Sequence, residues 1–394
     1  MKIVLIDLSE NWQDLLPLTY TRPISELRIG ILTISQKWQR YLSFQSTYLT
    51  EKYLQFKYKF EPDEENFVIN STVLPNKELV EQIKLLTIGE ALYKDDIFIA
   101  AKMKAEHINR DFDNSVFSIK FYKSKLSVIS KLWHLFKLND EQIENDFNLI
   151  TIGRDSQKIS NTNVVFDESR IFLEQGARVE ASILNPKDGY IYIGEHAEIM
   201  EGSIVRGSLA MCEHSVLKMG AKIYGPTTLG PYSKVGGEVN NSIFIGYSNK
   251  AHDGFLGNSV LGEWCNIGAD SNNSNLKNNY EQVKLWNYRQ ERFVSTGEQF
   301  CGLFMADHSK CGINTMFNTG TVVGVSCNIF GADFPRKFIP SFSWGGYHGF
   351  DEYKFDKAIS TAKRVMARRH KHITDTDLKI LEHIYRISSK FRNF

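Results

Sequence analysis

The chain has 394 residues, too many for one small hydrophobic core and enough for two domains. Hydrophobic residues make up 42% and the formal net charge is +1, which describes a globular protein without the basic field that nucleic acid requires. The five cysteines (Cys212, Cys265, Cys301, Cys311 and Cys327) include no CxxC pair, so neither a disulfide framework nor a thiolate zinc site is indicated. Reduced thiols fit the cytoplasm. Residues 1–8, MKIVLIDL, reach Asp7 too soon to read as a signal core, and no apolar run has transmembrane length. The expected location is cytoplasmic, with no membrane partner.

Residues 2–8 read as a short aliphatic strand, and residues 67–74 (FVINSTVL) as a second strand stopped by Pro75. Over residues 133–150 (WHLFKLNDEQIENDFNLI) apolar positions recur at helical spacing, with Asn139 and Asp140 as candidate caps. Glycine then changes the character of the chain. Of 27 glycines only Gly30 and Gly89 precede residue 151, and none follows Gly349. Dense glycine means repeated tight corners. Residues 351–394 have neither glycine nor proline and read as helical, with Thr374 and Asp377 capping a second helix. This tail is expected to pack across the end or side of the preceding domain and blunt its sheet edges.

Within the glycine-rich region a six-residue register is strict. Ile193, Ile199, Val205, Met211, Leu217, Ile223, Leu229 and Val235 follow one another without a break. At 42% hydrophobic, eight hits in one chosen phase have a chance of about one in a thousand. The register returns at Leu261 and Ile267, and again at Cys311, Phe317, Val323 and Ile329. Neither a helix nor an alternating strand has a period of six. A coil of short flat faces does, with one aliphatic side chain pointing inward per face and a corner after each. The spacing predicts a parallel β-helix and leaves its handedness open.

Residues 242–275 read SIFIGYSNKAHDGFLGNSVLGEWCNIGADSNNSN. They contain Lys250, His252, Phe255, Leu256-Gly257, Leu261-Gly262, Gly268-Ala269 and Asn275. Residues 296–314, TGEQFCGLFMADHSKCGIN, add Thr296-Gly297, Gly302, Asp307, Lys310 and Gly312-Ile313-Asn314. In these motifs the chain resembles the bifunctional N-acetylglucosamine-1-phosphate uridyltransferase/glucosamine-1-phosphate N-acetyltransferase family. The likeness includes its archaeal-type and Bacteroidetes-type variants, often named glucose-1-phosphate thymidylyltransferases. WHLFKLND, residues 133–140, is similar to the segment joining that family's two domains. The resemblance implies a left-handed β-helix, a homotrimer, and acetyl-CoA as co-substrate in a groove between β-helices.

Acetylating an amino sugar requires a base for the attacking amine, and a neutral imidazole suits that role near pH 7. His252 is the candidate base, as the matching histidine is in the family. The resemblance also implies that Asn275 orients the base or substrate, and that Lys250, Phe255, Lys310 and Asn314 bind substrate. Phe255 departs from the family's usual tyrosine and lacks its hydroxyl. Lys277, Arg336 and Lys337 are further candidates for the phosphates of sugar or coenzyme A. A backbone N–H at a coil corner would serve as oxyanion donor. His196, His214, His252, His308 and His348 are too scattered in sequence for the three-histidine zinc site of a γ-type carbonic anhydrase.

The front of the chain follows the family less closely. Sugar nucleotidyltransferases hold the triphosphate on a Gly-rich loop after the first strand. Here that stretch reads SENWQDLLPLTYTRPISELRIG, which retains Thr21-Arg22-Pro23 and Arg28-Ile29-Gly30 without the glycines. Arg22 and Asn70 are the candidate nucleotide-binding residues. The resemblance implies Mg²⁺, but Asn70-Ser71-Thr72 stands where the family places a carboxylate, and a hydroxyl does not replace one. No residue is assigned to a metal.

The expected architecture is a truncated, divergent α/β nucleotidyltransferase-like domain over residues 1–148, a left-handed β-helix over 149–345, and a helical tail over 346–394. The leading expectation is a sugar-1-phosphate N-acetyltransferase in nucleotide-sugar synthesis for the cell envelope. Its partners are sugar phosphate, coenzyme A and, for the front domain, a nucleoside triphosphate. Two alternatives stay open: a sugar-1-phosphate nucleotidyltransferase with a structural β-helix, and a non-catalytic trimeric scaffold that binds a nucleotide sugar.

Overall fold

The computed structural model describes residues 1–110, 117–187 and 189–394. They form two units. The first comprises residues 1–27 and 32–134, and the second comprises residues 28–31 and 135–394.

The first unit is an α/β domain. Its six strands are β1 (Lys2–Ile6), β2 (Ser46–Leu49), β3 (Glu65–Asn70), β4 (Glu90–Lys94), β5 (Ile97–Lys104) and β6 (Ser118–Phe121), in sheet order β2-β1-β3-β5-β4-β6. Strand β1, next to the edge strand β2, pairs in parallel with both neighbours, and Ile3, Val4, Leu5 and Ile6 are fully buried. A continuous aliphatic run is what a strand covered on both faces requires. The helices are α1 (Ser9–Asp14), α2 (Ile34–Leu42) and α3 (Lys77–Lys84). Strand β3 ends at Asn70, short of the expected Leu74. The Asn70 side chain accepts from Thr72 N and Oγ1 and turns the chain out of the sheet.

The second unit is a parallel β-helix preceded by α4 (His134–Thr151) and followed by α5 (Phe355–Ala367) and α6 (Asp375–Ile387). Each coil has three faces. First-face strands run from Val164–Val165 to Phe255–Gly257 in one six-stranded sheet. Second-face strands run from Ile171–Leu173 to Phe338–Ile339 in a nine-stranded sheet. Third-face strands run from Arg178–Val179 to Asn249–Lys250, and the face resumes at Lys310–Cys311. All pairings between successive coils are parallel and in register, and the eight aliphatic positions of the unbroken repeat are at most 2% exposed. The six-residue period is therefore one inward side chain per face. An antiparallel hairpin, Lys284–Asn287 with Arg292–Ser295, interrupts the coils where the repeat breaks.

Asn139 and Asp140 lie inside α4 rather than capping it. Asn139 is fully buried and its amide donates to Pro226 O, while Asp140 accepts from Ser208 Oγ. Thr374 and Asp377 do form the capping box of α6. The tail packs on the β-helix as expected, but it is not helical from residue 351: residues 349–352 form a strand, and the first tail helix begins at Phe355. Gly349–Glu352 pairs antiparallel with Ser343–Gly346 and extends the third-face sheet, and Tyr385 of α6 packs edge-on to Phe342 at 4.9 Å.

At the corner between the second and third faces, six rings stack one per coil: His196, His214, Tyr232, Tyr247, Trp264 and His308. All six residues have positive φ, between 51° and 62°. That conformation costs an L-residue about 1–2 kcal/mol, and aromatic stacking worth about 0.5–1.5 kcal/mol per pair offsets it. Tyr232 lies 4.7 Å from His214 and 5.1 Å from Tyr247, centroid to centroid. Tyr232→Ala is expected to lose both stacks and about 1–3 kcal/mol in urea unfolding. Tyr232→Gly should lose less, because glycine adopts the same φ without strain. An equal loss in both variants would show that the backbone conformation is not what the stack offsets.

Candidate functional site

The third-face inward ladder runs Val179, Ile199, Leu217, Val235 and then Lys250, in direct register. Lys250 thus occupies an aliphatic rung of the core and is 1% exposed. Its ammonium donates to Gly236 O at 2.9 Å and to His252 O at 2.8 Å. Burial lowers its pKa to about 8, opposed mainly by Asp253 and Asp270. An ammonium in this core needs such hydrogen bonds. Sequence reading expected Lys250 to touch substrate. The structure turns its side chain inward, where it holds the backbone of the residue two positions on.

That residue, His252, is exposed at the corner between Asn249–Lys250 and Phe255–Gly257. Phe255 opens the first face, its N–H donating to Asn272 Oδ1 at 2.7 Å. Asn275 donates through Nδ2 to Asn258 Oδ1 at 2.8 Å. Both side chains lie over Gly257, where a Cβ would sit 2.6 Å from Phe255 Cζ and 2.7 Å from Asn275 Nδ2. The structure therefore brings Phe255 and Asn275 together. His252 and Asn275 sit at opposite ends of the first face, on successive coils, and no hydrogen bond joins them.

Beside His252 a cleft of about 730 Å³ opens between the third face and α5. Tyr247, Trp264, Lys234, Lys310, Arg368 and Arg369 line it with His252. Lys310 is half-buried and donates to His308 O at 2.8 Å, and burial lowers its pKa to about 8. Asn314 is instead an exposed corner residue with φ 56°, its N–H donating to Ala269 O. Lys277 pairs with Glu281 at 3.4 Å, Arg336 lies over the Phe350 and Phe394 rings, and Lys337 lies 6.0 Å from the Phe293 centroid. Arg368 and Arg369 were missed in the sequence because a basic run in a helix reads as a solvated face. The cysteines offer no nucleophile: burial raises Cys212 and Cys327 to about 11 and Cys265 to about 12. Among the described residues no group of three or more His, Cys, Asp or Glu could hold a metal ion.

In the first unit Arg22 is 3% exposed in the turn after α1, and Asn70 is 2% exposed with Nδ2 donating to Phe98 O. Asn70, Ser71 and Thr72 carry no carboxylate, and the Asp7 carboxylate beside Ser71 is fully buried and already accepts from Thr50 and Ile24, so the residues there do not fit a magnesium ion. A carboxylate the sequence reading passed over is Asp7 at the end of β1. Fully buried, it accepts from Thr50 Oγ1 at 2.6 Å and Ile24 N at 3.3 Å, and burial pushes it up to about 6. Arg110 donates to Asp7 O and to Glu51. No described helix is long and apolar enough to cross a membrane.

The fold and these motifs define a nucleotidyltransferase-like domain joined to a hexapeptide-repeat β-helix, and the comparisons agree. Residues 3–155 match the sugar nucleotidyl transferase family model. A bifunctional sugar-1-phosphate nucleotidylyltransferase/acetyltransferase from Sulfurisphaera tokodaii is 27% identical over 45% of this chain and 42% of its own length. The bifunctional protein GlmU from Methanocaldococcus jannaschii is 33% identical over 23% of this chain and 21% of its own. The chain thus spans less than half the length of these relatives. The resemblance drawn from the two motif stretches is borne out. Among solved structures, LpxA from Bacteroides fragilis, a UDP-N-acetylglucosamine acyltransferase, covers 60% of this chain and 84% of its own at 13% identity and a TM-score of 0.30.

Proposed function

We propose that this chain is a sugar-1-phosphate N-acetyltransferase acting in nucleotide-sugar synthesis in the cytoplasm, as a homotrimer. The observation that carries the reading is His252, exposed beside a cleft while its backbone carbonyl is pinned by a buried ammonium. A solvated loop histidine has no need of a charged group inside the core. The amino nitrogen of glucosamine-1-phosphate attacks the acetyl carbonyl of acetyl-CoA. A C–N bond forms, the C–S bond breaks, the amine proton passes to the His252 imidazole, and the departing thiolate is protonated to coenzyme A. Phe255 and Asn275 bound the acceptor along the first face, and Phe255 offers the sugar an apolar contact where a tyrosine would add a hydroxyl. Thiol release from acetyl-CoA that requires glucosamine-1-phosphate tests this. A folded protein that releases no thiol with this or other amino-sugar phosphates would sink it.

For the front domain, the Asn70 turn favours binding of a nucleotide or nucleotide sugar over nucleotidyl transfer. Pyrophosphate release from a nucleoside triphosphate and a sugar-1-phosphate would overturn that reading.

Lys250 supplies a separate check. Its folded pKa, about 8, lies below the ordinary 10.5, so between those values the unfolded chain binds the proton more tightly. Stability from this group therefore rises with pH across that window. Lys250→Met should remove the rise, be neutral or stabilising below pH 8, and still lower the rate of acetyl transfer because the His252 corner loses its anchor. Unchanged kcat in a stable Lys250→Met protein would make Lys250 a structural residue only.

A further inference from the structure

In the cleft beside His252, Arg368 and Arg369 at the end of α5 and Lys234 of the third face line one site. These cations crowd one another. Burial, then Arg369, Lys218 and Arg368, push Lys234 below its usual range, with Glu198 acting in the other direction. Burial and the neighbouring Arg368 lower Arg369 in the same way. Yet among the described residues none of Lys234, Arg368 and Arg369 has a carboxylate within ion-pair distance. Arg369 reaches only the neutral Asn249 Oδ1, at 3.1 Å. The tail does pair its cations elsewhere, as Arg392 with Glu352 and Lys390 with Glu291. The basic run continues past the helix through His370, Lys371 and His372.

Lys234 and Arg369 are partly buried and Arg368 is exposed; like charges gathered in one cleft without an ion pair repel one another, and an anion relieves that repulsion. Guanidinium groups suit phosphate in particular. Tyr247, Trp264 and His252 line the same cleft. Arg369 meets Asn249 at the start of the third-face strand, and His252 lies three residues on, at the corner after that strand.

We infer that Arg368, Arg369 and Lys234 bind the phosphates of the acyl donor, the 3′-phospho-ADP end of coenzyme A, with the thioester directed toward His252. The identity of this ligand rests on the acetyl-transfer reading; the anion site does not. The tail then completes the donor site from within the same chain, a role beyond covering sheet edges.

Calorimetric titration of the full-length protein with 3′,5′-ADP tests the inference without turnover. Binding by the wild type is expected to weaken at least tenfold in Arg368→Gln/Arg369→Gln. KM for acetyl-CoA should rise by a similar factor, with KM for glucosamine-1-phosphate unmoved. Dephospho-CoA, lacking the 3′-phosphate, should lose less on passing from wild type to variant than acetyl-CoA does. Wild-type affinity for 3′,5′-ADP in the double variant would overturn the assignment. So would a rise confined to KM for glucosamine-1-phosphate, which would give these cations to the acceptor's phosphate. Lys234→Gln, on a β-helix strand, repeats the test should the helix variant fail to fold. If the wild type releases no thiol while the arginines still govern 3′,5′-ADP binding, the acetyl-transfer reading fails and the phosphate site stands.

Discussion

His252→Ala is expected to lower sugar-dependent thiol release from acetyl-CoA by about 10²–10⁴-fold while leaving the thermal unfolding midpoint where it was. Two observations set this expectation. His252 is exposed, so its side chain contributes little to packing. Its backbone carbonyl, not its ring, accepts the Lys250 hydrogen bond, and alanine keeps that carbonyl. The loss should fall mainly on kcat, because a proton acceptor acts as the amine attacks rather than when the substrates bind. A kcat within threefold of wild type would remove His252 from the chemistry and leave the corner as scaffold. Asn275→Ala should do less and act mainly on KM for the sugar, since Asn275 lies against Phe255 at the far end of the face.

The β-helix was legible because its physics is periodic. One inward aliphatic residue per face is a local rule, and the ladder from Ile193 to Val235 obeys it at every step. Lys250 was harder to place because it obeys the same rule with the wrong chemistry. It falls on a core rung, five coils along, and a charged side chain there reads from sequence as a surface group. Only the register Val235–Lys250 shows which way it points. The bringing together of Phe255 and Asn275 depends on the height of one coil, which a spacing of 20 residues does not reveal. Arg368 and Arg369 were invisible for a related reason: what they face is more than a hundred residues away in sequence, at Lys234 and Asn249. In the front domain, the aliphatic run of β1 was readable, but the turn at Asn70 was taken for strand and Asp7 passed as the mere end of one.

Gly30→Ala should be among the most destabilising single substitutions in the chain, at about 3–5 kcal/mol in denaturant unfolding of the second unit. Sequence reading took Arg28-Ile29-Gly30 for a remnant of a phosphate-binding loop. Residues 28–31 instead belong to the β-helix unit, threaded against α4 and the second face. Gly30 N donates to Asn139 Oδ1 and Ile31 N to Asp146 Oδ2, both at 2.8 Å, while Gly30 O accepts from Thr228 Oγ1 at 2.9 Å. Arg28 donates to Ile245 O, Ile31 O and Cys212 Sγ. The backbone at Gly30 has φ +72°, and a Cβ there would lie 2.5 Å from Gln142 O and 2.6 Å from Asp146 Oδ2. Left-handed strain contributes about 1–2 kcal/mol, and displacing Asp146 leaves buried polar groups without partners at about 1–3 kcal/mol each. Gly220 is the control. It has φ +68° but nothing within 4 Å of a built Cβ, so Gly220→Ala should show the strain alone. Equal losses at the two positions would mean that α4 yields to the extra methyl, and that the buried network holds the segment less tightly than its hydrogen bonds imply.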